Sequence, residues 1–145
     1  KMATINPYLT FNGTCEAAFN FYKSVFGGEF TYMGRFNEMP PDENCEPISE
    51  EAGNLIMHVS LPISSETVLF GSDTSEAFGQ SIVVGDNISI SINASSREEA
   101  DRLYNGLSAD GIIKMPLQNT FWGAYFGMFV DKFGINWMMN FDENP

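Results

Sequence analysis

The stretch 87-NISISINASSREEADRLYNGLSADGIIKMPLQNTFWGAYFGMFVDKFGINWMMNF-141 reads as one complete unit of strand, helix and three strands. Asn87–Asn93 alternates strictly, with Ile88, Ile90 and Ile92 on one face and Asn87, Ser89 and Ser91 on the other, the pattern of a half-buried strand. Ser96 supplies a helix N-cap, and Glu99 three residues later completes a capping box. Ala100, Leu103, Tyr104 and Leu107 then form one apolar stripe along a helix over Ser96–Ala109, and Gly111 is the expected stop. Three short apolar runs follow, Ile112–Leu117, Ala124–Val130 and Ile135–Phe141, the last two joined as a hairpin by Asp131-Lys-Phe-Gly134. The polar face of this unit, opposite the helix, is where a functional surface is expected.

The first half repeats the order. Ile5, Pro7, Leu9 and Phe11 alternate with Asn6, Tyr8 and Thr10. Thr14 is the expected cap of a helix over Thr14–Phe26 with Cys15, Ala18, Phe19 and Tyr22 as its stripe, ended by Gly27-Gly28. Aligning the halves sets Thr14 on Ser96, Ala18 on Ala100 and Tyr22 on Tyr104, and a slip of one residue sets Asn6 on Asn87. Three strands complete the repeat, Glu29–Phe36, Asn54–Leu61 and Thr67–Ser72, with a hairpin turning near Ser64-Ser65. Such self-similarity marks a duplicated unit. The expected organisation is a single α+β domain of two βαβββ modules, about 4–73 and 86–142, joined by a linker over 74–85. Asn37–Gly53, with Pro40-Pro41 and the carboxylates Glu38, Asp42, Glu43, Glu46, Glu50 and Glu51, reads as a mobile surface loop and a candidate cover for a cavity mouth.

Composition narrows the function. The chain has 145 residues, 43% hydrophobic and 14% aromatic, enough for one substantial core. No run approaches the roughly 18 apolar residues of a membrane span, and no signal peptide is read at the start. Cys15 and Cys45, without a secretion signal, predict free thiols in a reducing, cytoplasmic compartment. A net charge of −12 repels phosphate backbones and anionic lipid, which argues against nucleic acid or membrane as partners. A small, largely uncharged organic molecule fits better. There is no GxSxG and no histidine partner for either cysteine, so no hydrolase motif is present.

Two motifs carry a family resemblance. Phe19-Asn-Phe-Tyr-Lys-Ser-Val-Phe-Gly-Gly28 resembles the first helix of the vicinal oxygen chelate superfamily, which includes glyoxalase I and the bleomycin-resistance proteins. Trp122-Gly123, Asp131-Lys-Phe-Gly134 and Trp137 resemble the ending of its PhnB-like branch, sometimes labelled a 3-demethylubiquinone methyltransferase. Lys132 stands where the branch usually has proline, leaving Gly134 to make the turn. The resemblance implies two βαβββ modules, each a curled mixed sheet around a concave cavity (the glyoxalase/bleomycin-resistance fold), and a homodimer.

In the metal enzymes of that superfamily, ligands come from the first and last strands of each module. Carried over, those places are Asn6, Val68–Ser72, Asn87 and about Met138, none of them His, Asp or Glu except through nearby His58 and Asp73. Amide and thioether suit a divalent transition metal poorly, so neither metal nor other cofactor is expected. His58, the sole histidine, reads either as a half-buried strand residue bonded to a neighbour or as a cavity-lining acid or base opposite roughly Phe70. Asp73 either orients that ring or caps the loop at Gly71-Ser72. Tyr8, Trp122 and Met138 are expected to line the cavity with Asn6, Phe70, Asn87 and Ser89. Tyr125 is a further candidate, but Gly123 and Gly127 permit a bulge, so parity does not decide between it and Phe126. Phe129, Trp137 and Met139 read as core. The expected function is metal-free binding of a small organic molecule. The rivals are a metal-dependent lyase, isomerase or dioxygenase using His58 and a carboxylate, and methyl transfer, which no glycine-rich nucleotide loop supports.

Overall fold

In the computed structural model, which describes residues 3–38, 48–75, 79 and 81–143, the chain forms two compact units, Lys1–Val83 and Val84–Pro145. The first contains β1 (Tyr8–Phe11), α1 (Cys15–Phe26), β2 (Tyr32–Arg35), a 3-10 turn (Phe36–Glu38), α2 (Glu50–Gly53), β3 (Ile56–Pro62) and β4 (Val68–Asp73). Its sheet order is β1-β4-β3-β2, with β1 parallel to β4 and the other pairs antiparallel. Most of the carboxylate-rich segment expected as a loop, residues 39–47, lies outside the described residues, as do Cys45 and part of the expected linker.

Side-chain alternation gives this sheet two unlike faces. Leu9, Phe11, Val59, Leu61 and Leu69 are buried with the α1 stripe of Cys15, Ala18, Phe19 and Tyr22. Gly71 lies directly beneath Phe19, where a Cβ would come within 2.4 Å of the ring, so this central position needs glycine for close helix–sheet contact. Thr14, the expected cap of α1, makes no side-chain capping hydrogen bond. The cap comes from 58 residues away: Asp73 Oδ1 accepts from Cys15 N at 2.9 Å, and its Oδ2 accepts from Ile56 N at 2.9 Å.

The second unit contains β5 (Ile90–Asn93), α3 (Arg97–Ser108), β6 (Ile112–Asn119), β7 (Ala124–Val130) and β8 (Asn136–Asp142), in the sheet order β5-β8-β7-β6 with β5 parallel to β8. α3 buries the expected Ala100, Leu103, Tyr104 and Leu107. Ser96 Oγ accepts from Glu99 N, but Glu99 reaches back to Ser95 N (2.9 Å) rather than to the cap residue itself. The left-handed residue ending the helix is Asp110 (φ 62°), not Gly111. Gly111 is needed for space instead, since a Cβ there would lie 2.2 Å from the Val130 carbonyl oxygen. The Asp131–Gly134 turn forms as read. Asp131 Oδ1 accepts from Phe133 N and Ile135 N, its Oδ2 accepts from Trp137 Nε1 at 2.8 Å, and Gly134 takes φ 90°.

Among the described residues, both units are therefore open four-stranded mixed sheets with one principal helix packed on a single face and no helix on the opposite face. Among the described residues no helix is long and apolar enough to cross a membrane.

Candidate functional site

On the first sheet's helix-free face, parity and register bring four rings together. Tyr8 on β1 pairs with Phe70 on β4, and their rings stack at 6.3 Å. His58 on β3 lies 5.7 Å from Tyr8 and 5.6 Å from Phe70, centroid to centroid. The cross-strand partner of Phe70 is Ser60 rather than His58, a two-residue offset that keeps parity and hence the face. The fourth ring is Tyr32, 6.0 Å from His58. The sequence reading missed it. Tyr32 folds over Gly34, where a Cβ would come within 2.4 Å of its hydroxyl, so the glycine lets the ring lie along the sheet.

Hydroxyls hold the imidazole at both nitrogens. Tyr8 OH is 3.3 Å from His58 Nδ1 and Ser60 Oγ is 3.2 Å from Nε2. Each hydroxyl can donate or accept, so this pair accommodates either tautomer. Tyr8 and Tyr32 are about half exposed, at 52% and 48%, so the rings present their faces to a ligand. The arrangement suits stacking plus one or two hydrogen bonds.

The remaining candidates of this unit are engaged elsewhere. Asn6 Oδ1 accepts from Val68 N at 2.9 Å and pins the chain entering β1 to β4. Asp73 does not meet His58, because both its oxygens take buried backbone N–H groups. Cys15 is fully buried, and burial, with Asp73 and Glu16 nearby, pushes its thiol well above the usual cysteine range. It is packing, not a nucleophile.

On the second sheet, the register sets Phe126 opposite Asn140 and Met128 opposite Met138, away from buried Phe129, Trp137 and Met139. Trp122, in the β6–β7 turn and 58% exposed, packs edge-on to Phe126 at 6.1 Å. Tyr125 has the other parity. Its hydroxyl donates to Asp101 Oδ1, the Arg97 guanidinium lies 3.8 Å above its ring, and the Asp101 hydrogen bond raises its phenol above the ordinary tyrosine range. Tyr125 thus belongs to the helix side, and Phe126 takes its place on the open face. Asn87 and Ser89 precede β5, which begins only at Ile90.

A divalent transition metal does not fit the donors present. The amide oxygen of Asn6 is taken by a backbone donor, Met138 offers a thioether, and His58 sits among rings and hydroxyls. Among the described residues no three His, Cys, Asp or Glu side chains converge on one point.

Comparison with known proteins agrees with the fold. The family model described as 3-demethylubiquinone-9 3-methyltransferase matches residues 3–140. The chain belongs to that family. Protein YjdN of Escherichia coli (strain K12) is 31% identical over 141 residues, covering 94% of this chain and 93% of its own. The crystal structure of protein PA1353 from Pseudomonas aeruginosa superposes with a TM-score of 0.82 at 38% identity, covering 97% of this chain and 98% of that one. The glyoxylase/bleomycin resistance protein/dioxygenase domain from Frankia sp. EAN1pec shares the fold alone, at 13% identity and TM-score 0.64 over 99% of this chain and all (100%) of that one.

Proposed function

We propose that this PhnB-like protein is a cytoplasmic homodimer that binds a flat, weakly polar organic molecule on its helix-free sheet faces, without a resident divalent transition metal. The observation that carries this reading is the cluster of Tyr8, His58 and Phe70, with Tyr32 against His58, neighbouring ring centroids lying 5.6–6.3 Å apart. Rings spaced in this way offer stacking surface, while the Tyr8 and Ser60 hydroxyls give orientation. Methyl transfer rests on the family description alone, since each sheet has a single parallel pair and neither has the doubly wound form that carries a nucleotide loop.

A thermal-shift screen of small aromatic compounds, with elemental analysis of the purified protein, tests this reading. Compounds that raise the melting temperature should bind about one to two orders of magnitude more weakly to Tyr8→Ala, the cost of removing one stacking ring. Stoichiometric zinc, nickel or iron that disappears in His58→Ala would overturn it in favour of a metal-dependent lyase, isomerase or dioxygenase. The dimer has its own check. Tyr8, Phe121 and Trp122 are 52%, 98% and 58% exposed in the single chain, more aromatic surface than a monomer usually shows to water. Sedimentation at micromolar concentration should give twice the chain mass, and a monomer there would sink this part.

A further inference from the structure

The helix-free face of the second sheet carries a row of thioethers. Met115 on β6, between register shifts at Ile113/Met115 and Met115/Gln118, pairs with Met128 on β7, and Met128 pairs in unbroken register with Met138 on β8. The row ends at Ser91 on β5, the partner of Met138. All three methionines are half-buried. Adjacent strands lie about 4.8 Å apart and directly opposed Cβ atoms about 4.5–5.5 Å. The outer methionines thus stand two strand spacings apart, and unbranched side chains with three rotatable bonds let their sulfurs lean toward the central one. A merely apolar sheet face is normally built from β-branched residues and aromatics. Methionine at three consecutive places across the sheet adds polarisable lone pairs that those residues lack.

We propose that Met115, Met128 and Met138 form a site for a soft monovalent cation, Cu(I), closed on one side by the Ser91 hydroxyl. Thioethers select Cu(I) over zinc and over the hard divalent ions, so the donor set differs in kind from a divalent-metal site although Met138 stands at one of the carried-over ligand places. It goes beyond the organic-ligand reading and rests on residues of the other unit from the Tyr8–His58 cluster.

The test uses full-length protein carrying Cys45→Ser, so that buried Cys15 is the sole thiol. It is titrated anaerobically with Cu(I) against bicinchoninate, with [13C-methyl]methionine NMR as a second readout. A single equivalent should bind, and the methyl resonances of Met115, Met128 and Met138 should move while those of Met33 and Met57 stay. Zinc should move none of them. Met128→Leu conserves volume and should keep the circular dichroism and melting temperature of the parent. It should nevertheless weaken Cu(I) binding by about tenfold or more, whereas Met33→Leu should not. Absence of a one-equivalent site, binding indifferent to Met128→Leu, or methyl shifts spread over the other methionines would each overturn the assignment. The Tyr8→Ala titration fails or succeeds independently of these outcomes.

Discussion

Asp73→Ala should lower the stability of the first unit by about 2–6 kcal/mol, because it strands two buried N–H groups at about 1–3 kcal/mol each. The donors are Cys15 N at the start of α1 and Ile56 N at the start of β3, each 2.9 Å from a different oxygen of the 5% exposed carboxylate. The side chain therefore ties the helix start, the β3 start and the end of β4 to one point. Asp73→Asn should fall between parent and alanine, since its amide keeps one acceptor and turns a donor toward the other N–H. Urea unfolding measures both. A loss below about 1 kcal/mol with unchanged slope would mean that water replaces the carboxylate, and that Asp73 is free for another role. Ligand affinity per folded molecule should be unchanged in Asp73→Asn, which separates a structural carboxylate from one that orients His58.

The second large effect contrasts the two tryptophans. Trp137 is 1% exposed and its indole N–H donates to Asp131 Oδ2 at 2.8 Å. Trp137→Ala should cost about 3–5 kcal/mol as a core truncation, and it also deprives a buried carboxylate oxygen of that donor. Trp122 is 58% exposed in a turn, so Trp122→Ala should leave the unfolding midpoint nearly where it was. If ligand reaches the second sheet's open face, the same change should weaken binding by about one to two orders of magnitude, because apolar burial against the indole contributes about 1–3 kcal/mol. Titrating Trp122→Ala with a compound that stabilises the parent decides it: parental affinity would remove Trp122 and Phe126 from the site.

Much of this is legible in the chain because alternation and helical stripes are local. The Cys15/Ala18/Phe19/Tyr22 and Ala100/Leu103/Tyr104/Leu107 stripes are buried as read, and the Asp131–Gly134 turn sits where its residues require. Tyr8, His58 and Phe70 are neighbours, as their strand positions predict. What escapes a reading of the sequence depends on distant partners. The carboxylate that caps α1 is 58 residues from the helix start, whereas Thr14 is the cap that local spacing offers. Tyr32 joins the site through the β2–β3 register, which pairs it with Ser60 and sets Gly34 opposite His58, a long-range pairing that no local pattern fixes. Tyr125 is recoverable: β7 pairs with β8 without a break, and counting back by twos from core Phe129 puts Gly127 and Tyr125 on the helix side. The alternation of Asn87–Asn93 outruns the strand because β8 offers no partner before Asn136, which leaves Ile88 78% exposed.

The parallel pairs β1–β4 and β5–β8 have a consequence for how the protein is made. In each unit the first strand synthesised hydrogen-bonds to the last. Tyr8–Phe11 leaves the ribosome with no strand to join until Val68–Asp73 follows, a wait of roughly 3–12 seconds at ordinary translation rates. Through that interval α1 has only part of its sheet to cover, and the nascent segment is the one most exposed to chaperones and to mispairing. Closing so long a loop also makes the first-to-last pairing the slow event in each unit. Slowing translation after Asp73 should therefore raise the yield of folded protein more than slowing it anywhere between Phe11 and Val68.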